Sequence, residues 1–210
     1  MGNLFLALEA KMPGSNQGQR CKELWRHMQM FYKAFNVKDC LKHLTTKNYH
    51  GTATEPPKLK GGSAACTRAL IRFGKIMAKR FLVDTDPREA AMKSAAWHLW
   101  QCYNSLGKVG ALYRKEVFEE SSRLFAQQYY ALFLAVGNGV AWRVKPKMHL
   151  FLELCSEDTQ PNLFWTYRDE DFAGTVARQC KMRGSWKKLS SFSGHALNMY
   201  CMKNKPPRLV

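Results

Sequence analysis

The stretch DPREAAMKSAAWHLWQCYNSLG, residues 86–107, decides the fold class, because its apolar residues recur at helical spacing. Asp86 can cap a helix, Pro87 suits a first turn, and Glu89 would complete a capping box. The apolar residues that follow are separated by four, three, four and three positions: Met92, Ala96, Leu99, Tyr103 and Leu106. Such residues share one face of a helix. Trp97 and Trp100 are expected to widen this apolar stripe.

Segments of the same character continue on both sides of this stretch. Helical spacing predicts helices over residues 22–34, 63–81 and 114–136, and allows a short one over 37–44. A further helix is predicted to open at Lys145, while residues 140–144 could be extended. No βαβ rhythm or internal repeat is visible, so the sequence predicts a mostly α fold, an irregular multi-helix bundle.

Two prolines and three glycines interrupt the helical pattern in GTATEPPKLKGG, residues 51–62. Such a cluster is typical of a linker or exposed loop. The sequence therefore divides into a helical N-terminal segment over residues 1–50, this loop, and a helical domain over residues 63–210.

The charge balance is the strongest indication of a partner. The chain has 33 Lys and Arg against 16 Asp and Glu, a formal net charge of +17. A field of that sign and size favours polyanions such as DNA or RNA. No apolar run approaches the roughly 20 residues that span a bilayer, so a membrane partner is not expected.

The seven cysteines stand singly and form no CxxC pair. This scatter favours reduced thiols, hence a nuclear or cytoplasmic location, and the first residues (MGNLFLALEAKMPG) make a poor signal peptide. Two pairs, Cys40 with His43 and His98 with Cys102, have metal-like spacing. Each supplies two ligands where structural zinc needs four, so both are interpreted as packing residues.

The residues after Lys145 carry the candidate chemistry. His149 and Glu153 stand four apart on the predicted helix, which is the spacing of a helix-surface pair. An acidic run, Asp169, Glu170 and Asp171, then interrupts a basic and aromatic segment. These acids either complement the positive end of a helix or hold a divalent metal. A basic run with one tryptophan follows and suits a phosphate backbone: Arg178, Lys181, Arg183, Trp186, Lys187 and Lys188.

Read together, KPKMHLFLEL, PNLFWTYRDEDFAG, the basic run and the closing ALNMY resemble the C-terminal region of transposase-derived proteins. The similarity is to CACTA-type and related cut-and-paste elements, and it covers residues 145–200. Such transposases resemble RNase-H-like nucleases of the DDE type, in which three carboxylates hold two metal ions.

The resemblance implies that Glu170 is the third metal-binding acid, with Asp169 and Asp171 as less favoured candidates. His149 would then orient or pack beside the site, with Glu153 near it, and the cofactor would be Mg²⁺ or Mn²⁺. A complete transposase also needs a sheet that carries two further acids, which this sequence lacks. The resemblance therefore implies a helical insertion and closing helix that bind duplex DNA without forming a complete nuclease.

Two other functions remain open at this point. The chain could be an unrelated helical RNA- or DNA-binding protein, in which the acidic run only starts a helix. It could also be a helical interaction scaffold whose charge serves solubility or acidic protein partners.

Overall fold

Six α-helices make up the regular structure of the residues that the computed structural model describes, which are 1–52, 54–106, 112–137, 139–144, 146–156 and 161. They are α1 (Gly2–Ala10), α2 (Gln17–Ala34), α3 (Ala64–Phe81), α4 (Pro87–Leu106), α5 (Lys115–Val136) and α6 (Pro146–Ser156). One turn of 3₁₀-helix, Thr46–Asn48, lies between α2 and α3. These residues contain no strand, which confirms the predicted all-helical, multi-helix fold. They belong to one compact unit, Met1–Leu163.

The prediction of a short helix over residues 37–44 is wrong. Helix α2 ends at Ala34, and Asn36 takes a left-handed φ of 47° that turns the chain away from the helix axis. The returning chain is then held by the Tyr32 hydroxyl, which accepts the Leu41 N–H at 3.2 Å. A side-chain hydrogen bond thus replaces the backbone bonds that a helix would need.

Residues 140–144 are not extended either. They form a turn in which Trp142 adopts a φ of 57° and is buried. Its ring packs edge-on against Tyr129, at 5.4 Å between centroids. The burial of this indole against α5 outweighs the β propensity of the flanking valines.

The core forms around Phe73 of α3. Phe5 of α1 contacts this ring edge-on at 5.9 Å, and Phe31 of α2 contacts it at 5.4 Å. All three rings are buried. The three helices are thereby held to one aromatic cluster, and α4 and α5 extend the same core through Met92 and Leu132.

No separate helix was predicted over residues 2–10 within the helical N-terminal segment 1–50, although α1 contributes to the core of the fold. Its side chains Phe5 and Leu8 are fully buried, and Gly2 lies against the backbone of Pro57 and Lys58. A Cβ at Gly2 would clash with backbone atoms of both residues. The loop between α2 and α3 therefore packs closely on the start of α1.

A buried carboxylate joins α1 to the same loop. Glu9 accepts the Tyr49 hydroxyl at 3.0 Å, and His50 Nε2 lies 2.8 Å from the same oxygen, Oε2. Arg20 of α2 adds an ion-pair contact at 3.8 Å. Only 3% of the Glu9 side chain is exposed, so these partners replace the water that a carboxylate would otherwise need.

The start of α4 agrees with the sequence prediction in one respect and differs in another. Asp86 Oδ1 accepts the Arg88 N–H at 2.8 Å, as expected of a cap. Glu89 does not close a capping box: its carboxylate accepts the Val83 N–H at 2.9 Å and pairs with Lys11. It therefore ties the loop before α4 to the end of α1.

We expect Glu9→Gln to lower the free energy of unfolding by about 1–3 kcal/mol, because a buried network that includes charge-assisted hydrogen bonds loses its charge. Chemical denaturation measures this change. Glu23→Gln is the matched control, because its partly exposed carboxylate pairs with the exposed Arg26 of α2 and its loss should change the midpoint much less. Equal midpoints for the two variants would contradict the role assigned to Glu9.

Replacing Asp86 with alanine should cost about 1 kcal/mol of stability, the usual effect of a lost helix cap. The midpoint of a urea titration would show it, with Asp39→Ala, at an exposed position outside any helix, as the control. An unchanged midpoint for Asp86→Ala would mean that the hydrogen bond to Arg88 does not stabilise the start of α4.

Candidate nucleic-acid interface

A row of four cations runs along the outer side of α3. Arg68, Arg72, Lys75 and Lys79 are spaced by four, three and four residues, so they follow one face of the helix. Arg68, Arg72 and Lys79 are exposed and Lys75 is partly exposed. We call these four residues the basic stripe. Helix α3 itself contains no acidic residue.

The orientation of the stripe follows from the core. Leu70, Phe73 and Met77 occupy the buried side of α3, which leaves the positions of the basic stripe facing solvent. The first residue of the helix is fixed by Ser63, whose hydroxyl accepts the Cys66 N–H at 3.1 Å.

Aromatic rings lie directly beneath two of the cations. The Lys75 ammonium stands 3.8 Å from the ring centroid of Trp100 and 4.6 Å from that of Trp97. The Arg72 guanidinium stands 3.9 Å from the centroid of Phe35. Trp97 and Phe35 are each 41% exposed. The interface therefore combines positive charge with accessible aromatic surface.

Trp97 and Trp100 were expected to widen the apolar stripe of α4. The exposure of Trp97 and the position of Lys75 over both indoles correct that interpretation. The two indole rings extend from α4 toward the basic stripe of α3. Their centroids are 5.2 Å apart with the planes inclined at 46°.

A groove of about 370 Å³ lies between α3 and α4, and we call it the α3–α4 groove. Its lining combines three lysines, one aspartate and one indole with two small side chains: Lys75, Lys79, Asp84, Ala90, Lys93, Ser94 and Trp97. Lys93 Nζ lies 2.8 and 2.7 Å from the two carboxylate oxygens of Asp84. Asp84 is thus paired with Lys93. Lys75 and Lys79 supply the remaining positive charge of the lining.

The electrostatics of the groove agree with this geometry. Partial burial lowers the pKa of Lys75, and the positive charges of Lys79 and Arg72 lower it further. An anion bound near Lys75 would offset both effects, because it would restore a favourable environment for the ammonium.

The residues predicted from the C-terminal motif lie mostly outside the described residues. This holds for the acids Asp169, Glu170 and Asp171 and for the whole basic run from Arg178 to Lys188. Helix α6 carries the other predicted pair. Glu153 is exposed on α6, while the side chain of His149 is outside the described part. The metal-binding role of Glu170 therefore stays a prediction.

Metal binding finds no support elsewhere in the part of the chain that the structure describes. No three His, Cys, Asp or Glu side chains converge there in a group that could hold an ion. Cys102 is fully buried, and burial raises the pKa of its thiol to about 12. Such a thiol is a poor metal ligand, since the thiolate is the binding form. The five cysteines within the described ranges are all free.

The basic stripe was missed as a site, although the sequence contained its signal. The basic residues of α3 recur at helical spacing away from its apolar residues. Their position beside Trp97 and Trp100 becomes visible only in the structure. That proximity depends on how α3 packs against α4, which spacing within a single helix does not reveal.

Comparison with known proteins adds no further constraint. No protein-family model, curated protein or solved structure matches the chain. Among the described residues, no helix is long and apolar enough to cross a membrane.

Proposed function

We propose that this protein is a basic helical domain that binds nucleic acid, with duplex DNA as the favoured partner, and that it does not act alone as a nuclease. The observation that carries the proposal is the basic stripe: four cations on one face of α3, with no acid in that helix. A solvated helix face would more often alternate its charges, as Glu23 and Arg26 do on α2.

The dimensions of the stripe suit a phosphate backbone. Arg68 and Lys79 are eleven residues apart, which at about 1.5 Å per residue gives a row of roughly 17 Å. Successive phosphates of one DNA strand advance by about 3.4 Å along the duplex axis. The row therefore spans the axial length of about five base pairs, and its cations lie within reach of several phosphates as the strands wind past it.

The transposase resemblance adds a second contact to the same proposal. The run from Arg178 to Lys188 would make further phosphate contacts, and the domain would derive from the helical part of a DDE-type enzyme. The stripe does not depend on that ancestry. An unrelated helical nucleic-acid-binding protein would use it in the same way.

Binding to duplex DNA should weaken steeply with salt, because each neutralised phosphate releases counterions. If four cations of the stripe make contacts, the plot of log K against log salt should have a slope of about −4 or steeper. Lys75→Gln with Lys79→Gln should make this slope shallower by about 2, close to 1 for each lost phosphate contact. Fluorescence anisotropy of a labelled duplex between about 50 and 200 mM salt measures both slopes.

The matched control is Lys42→Gln with Lys47→Gln, which removes the same charge from exposed positions outside α3. It should leave the slope close to that of the parent. The same reduction in both double variants would mean that only net charge matters. No binding of the parent at low salt would refute the proposed function.

The purified chain should not nick supercoiled plasmid in Mg²⁺ or Mn²⁺. Two-metal cleavage needs several carboxylates around ions about 4 Å apart, and the sequence offers a single run of consecutive acids, Asp169 to Asp171, as candidates. Gel electrophoresis of plasmid incubated with the parent and with Glu170→Gln checks this expectation. Nicking that only the parent performs would establish a nuclease instead.

A further inference from the structure

We infer that the α3–α4 groove is a subsite for one unpaired nucleobase, which stacks on Trp97 while its flanking phosphates bind Lys75 and Lys79. This inference rests on the proposed function and makes it more specific: besides duplex DNA, the protein would bind single-stranded segments through stacking.

The first argument is the accessibility of Trp97. The side chain of Trp97 is 41% exposed, so it buries less apolar surface than a tryptophan in the core would bury. The preceding residue, Ala96, is buried. Trp97 is therefore exposed although a core position lies next to it on the same helix. An exposed tryptophan beside lysines is the arrangement found where proteins stack single-stranded bases, since every base presents a π face.

The second argument is the position of Lys75. Its ammonium is nearer to Trp100, at 3.8 Å, than to Trp97, at 4.6 Å. A base entering over Trp97 therefore displaces the weaker of the two contacts and leaves the stronger one in place. Lys75 can then contact the phosphate beside that base while it remains over Trp100.

The third argument is the size and charge of the groove. A volume of about 370 Å³ falls within the roughly 300–1,000 Å³ that is typical of small-molecule sites. Asp84, its one acid, is already paired with Lys93 through both carboxylate oxygens. The groove thus offers a planar apolar surface and two further ammonium groups, which together match a nucleotide.

A duplex cannot use this subsite without losing a base pair, because its bases are stacked on one another. A polyanion that lacks bases can use only the lysines. Comparing three probes therefore separates stacking from charge: oligothymidylate of ten residues, a ten-base-pair duplex, and inorganic polyphosphate of similar charge.

The test compares the parent with Trp97→Leu and Trp97→Phe, using one anisotropy competition assay at one salt concentration. Trp97→Leu should weaken binding of oligothymidylate by about 5- to 150-fold, the range expected for loss of one stacked base. The loss should be much smaller for duplex and for polyphosphate, because neither offers an unpaired base to stack on the indole. Trp97→Phe should restore most of the loss, because phenylalanine keeps a ring for stacking.

Circular dichroism of each variant identifies a folding defect, and Trp25→Leu provides a tryptophan replacement on α2, away from the groove. It should leave all three affinities unchanged. If a Trp97 variant unfolds, quenching of parent tryptophan fluorescence by oligothymidylate, and not by polyphosphate, is the alternative measurement.

An equal loss for all three probes in a folded Trp97→Leu variant would overturn the inference, as would no loss for oligothymidylate. Either result would leave the proposed function intact if the parent still binds duplex with a steep salt dependence. Failure of the parent to bind any of the three probes at low salt would overturn both.

Discussion

The contact of Phe73 with rings from two other helices is the constraint on which the rest of the structure depends. Phe5 and Phe31 hold it from α1 and α2, and all three rings are buried. Because the ring is fixed, the rotation of α3 about its axis is fixed as well. The four cations of the basic stripe then have to face solvent, and the interface is a consequence of core packing.

The same constraint explains why α1 is more than a terminal extension. Glu9 lies on α1 among partners from two other segments, Tyr49 and His50 of the loop and Arg20 of α2. A buried carboxylate is costly unless its hydrogen bonds are satisfied. The network therefore favours one position of α1 relative to α2 and the loop. Because Phe5 of α1 contacts Phe73, this position also supports that of α3.

The sequence predicted correctly the helices in which apolar residues occupy a single face. The regular steps of Leu70, Phe73 and Met77 were enough to predict α3, and the Asp86 cap was found from local chemistry. Helix α1 was missed because short apolar runs have no clear period. Residues 37–44 were misassigned because a hydrogen bond from Leu41 to Tyr32, nine positions away, decides their path. Local pattern contains no information about such contacts.

The aromatic part of the candidate interface could not be predicted, for a related reason. Trp97 and Trp100 have helical spacing with the core residues of α4, so periodicity alone assigns them to the core. Their actual environment is set by Lys75 from α3. An ammonium over an indole keeps part of its charge exposed while covering apolar surface, which allows tryptophan to remain near solvent at a tolerable free-energy cost. The cation–π contact therefore stabilises the free protein and also keeps an aromatic surface close to positive charge, the combination that binding a nucleotide requires.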